Sequence, residues 1–416
     1  MKLLWFHLMP YTDLPDDFKQ RHPSVWVDID SRLFDPTKAH HMYNDFMDEL
    51  EAAADAGFDG ICVNEHHSNG YGLMPSPNLI AASLARRTRD AAVVVMGNSL
   101  ALYNPPIRVA EEFAMLDCIS GGRLVAGFPV GTPMDTCYAY GMNPSQLRER
   151  YREAHDLILK AWQEPDTFTW NGRYHKLRYV NPWPRPLQKP HPPIWIPGGG
   201  SVETWQWCAE RDYVYAYLSY FGYQAGQATM NGFWGEMKRI GKDRNPFRAG
   251  FLQFVGVAES RDEALDLYRE SAEYFYNRSL HVDSRYAAPP GYASEATIRS
   301  KVVSQVLQAA VRATDERAFG APSFEEIVSK GYVIVGSPDE VAEQLREVAV
   351  TLNVGQLMLL LQFGNMGKPL ALYNTELFAK RVMPQLRDLF EREWENRWWP
   401  KPLPSAERAR PREVGR

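Results

Sequence analysis

Eight short apolar runs punctuate the chain, at 2–9 (KLLWFHLM), 59–63 (DGICV), 91–97 (AAVVVMG), 123–127 (RLVAG), 193–196 (PIWI), 213–218 (DYVYAYL), 250–257 (GFLQFVGV) and 356–361 (QLMLLL). They are almost continuously apolar, without a polar alternate face, as expected of strands covered on both sides. Between them the apolar spacing changes to that of a helix. Phe46, Leu50, Ala53 and Ala54 fall on one helical face that ends in "AGFDG". "IRVAEEFAMLDCISGGR" is stopped by a Gly pair, "SQLRERYREAHDLILKAW" is opened by Ser145, and "SPDEVAEQLREVAV" carries Ser337 and Glu340 at capping-box spacing.

Strand and helix alternating eight times predict a parallel sheet, and eight repeats favour closure into a (β/α)8 TIM barrel. Such a barrel needs about 250 residues; the chain has 416, so the surplus is assigned to insertions. We expect one barrel domain over 1–392 with insertions at about 164–192 and 280–335, and a C-terminal tail at 393–416. The first insertion carries a hairpin-like "TWNGRY" with Asn-Gly at the turn. The second shows no strand of the main series and contains "AAPPGYAS", read as a lid or a subunit contact. The tail, "ENRWWPKPLPSAERARPREVGR", is rich in Pro and charge and is expected to leave the barrel. No internal repeat beyond the strand–helix alternation and no low-complexity tract is visible.

Composition narrows the function classes. A net charge of −5 gives no reason to expect a nucleic-acid partner, which calls for clustered Lys and Arg. The longest aliphatic run, LMLLL, is too short to span a bilayer. The N-terminal stretch lacks a small-residue cleavage site and reads as a buried strand, so a cytoplasmic location is expected. Cys62, Cys118, Cys137 and Cys208 show no CxxC spacing and read as isolated thiols. Twelve Trp, 21 Tyr and 19 Phe suit a large core and a pocket for an apolar or planar ligand.

In such barrels chemistry is carried at the C-terminal ends of the strands. "NEHHSNGYG", "NSLALYNPP", "FPVGTPMDTCYAYG" and "PGGGS" follow the second to fifth runs, so all four fall on one rim. In "IWIPGGGSVETW", three glycines, a helix start and the hydroxyls of Ser201 and Thr204 fit an anion cradle with phosphate as its guest; a plain turn with a Ser cap fits equally. It is not a P-loop, because no Gly-Lys-Ser/Thr follows. "NEHH" (64–67) admits a metal site, an acid/base His or hydrogen-bonded loop residues. Three adjacent residues converge poorly on one metal, so none is assigned. Arg108, Glu111 and Glu112 read as ion pairs on a scaffold helix, and Arg148 and Arg150 as helix charges unless the rim carries a phosphate.

The chain resembles the bacterial-luciferase-like flavin-dependent monooxygenases over roughly residues 1–390. The signatures are "AGFDGICVNEHH", "GNSLALYNPPIRVAEEFAMLDCISGGRLVAGF" and "PHPPIWIPGGGSVETWQWCAERD", in the order of that family. The resemblance implies that His66 is the catalytic His beside the flavin and that Glu65 shapes the flavin pocket. It implies that Asn98, Ser99 and Leu100 underlie the isoalloxazine ring, and that Arg148, Gly200, Ser201 and Thr204 hold the FMN phosphate. His67 is left as a supporting neighbour. The chain departs from luciferase at Val130, where luciferase has a phosphate-binding Arg, and at Gly200, where luciferase has Glu. One phosphate ligand is therefore missing or supplied elsewhere, and aldehyde luminescence is not inherited.

The implied activity is insertion of one oxygen atom from O2 into a small apolar organic substrate, by way of a C4a-peroxyflavin. Reduced FMN would come from a separate NAD(P)H:flavin reductase, since no GxGxxG fingerprint is present. A homodimer is expected, as is common in the family. Tyr11, Tyr138, Tyr140, Tyr220 and Phe221 are candidates for the substrate pocket, and core positions are the alternative for each. Two further readings stay open: a deazaflavin-dependent hydride-transfer oxidoreductase, and a non-catalytic flavin-binding protein.

Overall fold

The computed structural model describes residues 1–299 and 322–409. Among the described residues there are eleven strands: β1 (Lys2–Phe6), β2 (Gly60–Val63), β3 (Ala92–Val95), β4 (Leu124–Gly127), β5 (Phe168–Asn171), β6 (Lys176–Val180), β7 (Ile194–Gly198), β8 (Val214–Tyr217), β9 (Ala249–Val257), β10 (Val333–Gly336) and β11 (Gln356–Leu360). Eight of them close a parallel barrel in the order β1-β2-β3-β4-β7-β8-β9-β11, with β11 returning to β1. These are the eight apolar runs of the sequence.

Alternate strand residues face two different cores, because successive side chains of a strand point to opposite faces. Leu4, Cys62, Val94, Val125, Trp195, Ala216, Leu252 and Met358 belong to one cluster and fill the barrel. Leu3, Ile61, Val93, Leu124, Ile196, Tyr215 and Leu357 belong to another, where they meet Leu50, Phe113, Leu157 and Leu345 of the surrounding helices. The interior is a packed core, so a ligand has room only at the rim.

Two glycines set the geometry at that rim. A Cβ on Gly97 would lie 1.8 Å from the Gly127 carbonyl oxygen, and one on Gly127 would lie 2.1 Å from that of Val95. Only glycine lets the ends of β3 and β4 come this close, which brings the 97–100 segment over the barrel mouth.

Two expectations need correction, and one is extended. The second insertion adds no strand to the main series of eight but ends in a further one: β10 pairs with the distal half of β9, from Phe254 to Val257, beyond the stretch that β8 occupies. Its residues 300–321 lie outside the described part. The tail does not leave the barrel. Trp398 is buried and donates its Nε1 proton to the Asp212 carbonyl at 2.8 Å, while the Leu403 N–H bonds the Gly121 carbonyl at 2.9 Å. The tail therefore closes the face opposite the rim, as far as it is described (to 409). Finally, the helix after β4 starts at Leu147, not at Ser145, whose hydroxyl bonds Asn143 instead.

The first insertion forms the antiparallel β5–β6 hairpin, with a loop over 172–175 following Asn171. The Glu153 carboxylate of the helix Leu147–Gln163 ties it down by accepting the N–H groups of Tyr174 and His175. Ser337 and Glu340 form the expected capping box. Among the described residues no helix is long and apolar enough to cross a membrane.

Candidate active site

The loop after β2 sends the Glu65 and His67 side chains to one side and His66 to the other. The buried Glu65 carboxylate accepts the Ser99 N–H at 2.7 Å and the Tyr103 hydroxyl at 3.2 Å, and lies 2.7 Å from His67 Nε2. Glu65 thereby ties the end of β2 to the end of β3. Asn98 donates to the Tyr103 hydroxyl at 2.6 Å, its own N–H bonds the Gly127 carbonyl at 3.1 Å, and Leu100 is buried below. The 98–100 segment is thus held by both neighbouring strand ends.

His66 points the other way. Its Nδ1 lies 2.9 Å from Oδ2 of Asp135, a residue the sequence did not single out. Asp135 sits in the short π-helix Met134–Ala139 after β4. It also accepts the His67 N–H at 2.9 Å, the Thr132 hydroxyl at 2.9 Å and the Asn69 amide at 3.2 Å. Burial alone would raise the Asp135 carboxyl. The His66 ring facing it and these donors prevail and hold it below the usual carboxylate range. An ionised Asp135 requires the proton of the neutral ring on Nδ1 and leaves Nε2 with a lone pair. No hydrogen bond engages Nε2 among the described residues.

The ring of His66 packs edge-on against both Trp26 and Tyr71, with centroids at 5.5 and 4.8 Å. Trp26 and Tyr71 stack on each other at 3.9 Å. The Tyr71 hydroxyl donates to Tyr220, whose own hydroxyl is pushed up to about 12 by burial. His66 also lines a cavity of about 420 Å³ between the loops after β1 and β2. Tyr11, Phe34, Tyr43 and Leu73 form its apolar walls, with Asp30 and Asn69 among its polar lining.

The anion cradle is assembled across the rim. Arg148, at the start of the helix after β4, donates to the Ser201 hydroxyl at 2.9 Å, and Ser201 and Thr204 hydroxyls lie 3.2 Å apart. Ser201 sits at the N-cap of the helix Val202–Arg211, yet its hydroxyl makes no cap bond. It donates instead to the Glu203 carboxylate at 2.8 Å. Gly200 turns the chain into the cradle with a φ of +92°, and its N–H bonds the Tyr215 hydroxyl at 3.1 Å. Val130 lines the same small space without contributing a charge.

The predicted substrate-pocket tyrosines separate. Tyr11 lines the cavity, and Tyr220 is held in the aromatic cluster beside His66. Tyr140 is half exposed with its ring 4.5 Å from His67, not in the cavity. Tyr138 is turned outward and bonds the Arg285 carbonyl at 3.2 Å, and Phe221 packs on Tyr332. Arg108 pairs with Glu112 at 2.6 Å on the outer helix surface, as a scaffold ion pair.

A closed parallel barrel with these motifs in this order defines a family. The chain belongs to the luciferase-like monooxygenases, whose sequence profile matches residues 29–354. It is 24% identical over 335 residues to the oxygenase component of flavin-dependent trigonelline monooxygenase from Acinetobacter baylyi, covering 74% of this chain and 89% of that protein. The fold is similar to the oxygenating constituent of 3,6-diketocamphane monooxygenase from Pseudomonas putida, solved with FMN: TM-score 0.67, 19% identity, 92% and 98% of the two chains. It is also similar to an F420-dependent secondary alcohol dehydrogenase, with TM-score 0.61, 16% identity, and 93% and 99% coverage.

Proposed function

We propose that the protein is the oxygenase of a two-component, reduced-FMN-dependent monooxygenase that inserts one atom of O2 into a small, largely apolar organic substrate. One observation carries this reading: a His held by a buried carboxylate faces an aromatic-walled cavity on the same rim as an Arg–Ser–Thr anion cradle.

The residues present fit FMN at its phosphate end. Arg148 Nε is buried without a partner and stands among the Ser201 and Thr204 hydroxyls and the helix N-terminus, a donor set suited to a phosphate. Gly200 shapes that loop, and Asn98, Ser99 and Leu100 would support the ring system. Bound reduced FMN supplies the electron pair and the site at which O2 is activated.

The chain does the remaining work. Glu65 fixes the 98–100 backbone through the Ser99 N–H. His66 accepts or returns a proton at Nε2, with Nδ1 held by Asp135. Trp26 and Tyr71 keep water from its flank, and Tyr11, Phe34 and Tyr43 offer an apolar substrate its walls. The cavity volume suits a small organic molecule. A separate NAD(P)H:flavin reductase is part of the reading, supported by the relative named as an oxygenase component. So is a homodimer, which mass measurement in solution tests.

Anaerobic titration with reduced FMN and, separately, with a reduced F420-type deazaflavin tests the cofactor. Saturable binding of reduced FMN, weakened by Arg148→Ala and Ser201→Ala, is expected. Binding of the deazaflavin without binding of reduced FMN would replace this reading by hydride transfer.

A further inference from the structure

The anion cradle already holds an anion of its own. Glu203, the second residue of the helix Val202–Arg211, turns its carboxylate back into the cradle. Its Oε2 accepts the Ser201 hydroxyl at 2.8 Å and the Thr297 hydroxyl at 2.8 Å. Arg148 Nη2 stands 3.9 Å away, farther than a direct charge-assisted hydrogen bond, because that nitrogen bonds Ser201. Thr297, from the second insertion, also accepts the Val202 N–H at 3.2 Å. Two donors that a phosphate would use, the Ser201 hydroxyl and the first helical N–H, are thus engaged by the Glu203–Thr297 pair.

Among the described residues Arg148 is the cation bonded to the cradle hydroxyls, and Arg152, which lines the same space, is turned onto the Trp207 ring at 5.4 Å. Val130 supplies none. Glu203 cancels Arg148, and a phosphate monoester bearing about −1.5 to −2 charges would arrive beside a carboxylate. Both partners keep a spare valence: Glu203 Oε1 and Arg148 Nε are buried without hydrogen bonds.

We propose that Glu203 is a built-in competitor for the cofactor phosphate and the specificity-determining residue of the cradle. It lowers the discrimination between a phosphorylated flavin and its unphosphorylated form. It gives up Ser201 when a phosphate seats, and Thr297 remains its partner. The inference rests on the phosphate placement proposed above and goes beyond it in assigning an opposing role to a residue inside the site.

The test compares affinities for oxidised FMN and riboflavin, read from quenching of flavin fluorescence at low salt and neutral pH. The proteins are the intact wild type, Glu203→Gln and Arg148→Ala. Glu203→Gln is expected to tighten FMN about 10-fold or more and to leave riboflavin within about twofold. Millimolar inorganic phosphate alone should raise the melting temperature of Glu203→Gln more than that of the wild type. An FMN-to-riboflavin ratio unchanged or lowered in Glu203→Gln overturns the competitor role. Arg148→Ala separates the two claims: it should weaken FMN and spare riboflavin, and if it leaves the ratio unchanged the phosphate placement itself fails.

Discussion

Replacing Asp135 by Asn changes one atom and reverses a proton. The carboxylate accepts four hydrogen bonds, from the His67 N–H, the Thr132 hydroxyl, the Asn69 amide and His66 Nδ1. In the Asn variant, the amide oxygen keeps the His67 N–H, so the NH2 group must face His66 Nδ1. Nδ1 then has to accept, the ring proton moves to Nε2, and the Nε2 lone pair is lost. The loss of one hydrogen bond to a charged group is worth about 1.5–3 kcal/mol, or one to two decades in rate. Removal of the proton acceptor adds to it, and general acid–base catalysis as a whole contributes about 10²–10⁴-fold. Single-turnover oxygenation should therefore slow by about 10²–10⁴-fold in Asp135→Asn, with FMN affinity within about threefold of wild type. Stability carries an independent signature. The Asp135 carboxyl is held below the usual carboxylate range, so its contribution is present above the unfolded pKa of about 4 and is lost as pH falls through the folded value. The melting temperature of Asp135→Asn should fall below wild type at pH 7, and the gap should close below about pH 4. A variant that turns over normally, or a gap that persists in acid, would refute the assignment of Asp135 as the residue positioning His66.

Other expectations follow from single contacts. Gly97→Ala places a Cβ 1.8 Å from the Gly127 oxygen, so chemical denaturation should show a loss of about 3 kcal/mol or more, or no soluble protein. Trp398→Ala should lose about 3–5 kcal/mol by the same measurement, with flavin affinity of the folded fraction unchanged, because Trp398 packs under the barrel and away from the rim. Tyr11→Ala should raise KM for the substrate about 10-fold or more with little change in FMN affinity, whereas Tyr138→Ala should alter neither.

The barrel was legible because its strands are buried on both faces, which leaves unbroken apolar runs that no surface segment imitates. β10 was not, because four residues (VIVG) between an insertion and a well-capped helix give too short a signal. The tail misled by its composition. Its prolines and charges suggested a departing segment, and the Trp pair at 398–399 was the cue that it packs back. At the site, Gly200, Ser201 and Thr204 fall on a motif next to a strand end, Arg148 falls on the helix Leu147–Gln163, and the structure brings Arg148, Ser201 and Thr204 together. Asp135 lies 69 residues from His66, and no local spacing announces a contact made by two loops across the rim. Glu203 had a signal, since carboxylates are favoured in the first turn of a helix, but its neighbouring hydroxyls drew the reading. Tyr138 and Tyr140 could not be sorted from Tyr11, because side-chain direction in an irregular loop is set by packing and not by period.

The most direct measurement is turnover under 18O2 with reduced FMN supplied, on the wild type and on His66→Ala, using a panel of small apolar substrates. One 18O atom is expected in the product of the wild type, with a rate about 10²–10⁴-fold lower in His66→Ala and reduced-FMN binding retained. Product lacking 18O, or equal rates in the two proteins, would contradict it.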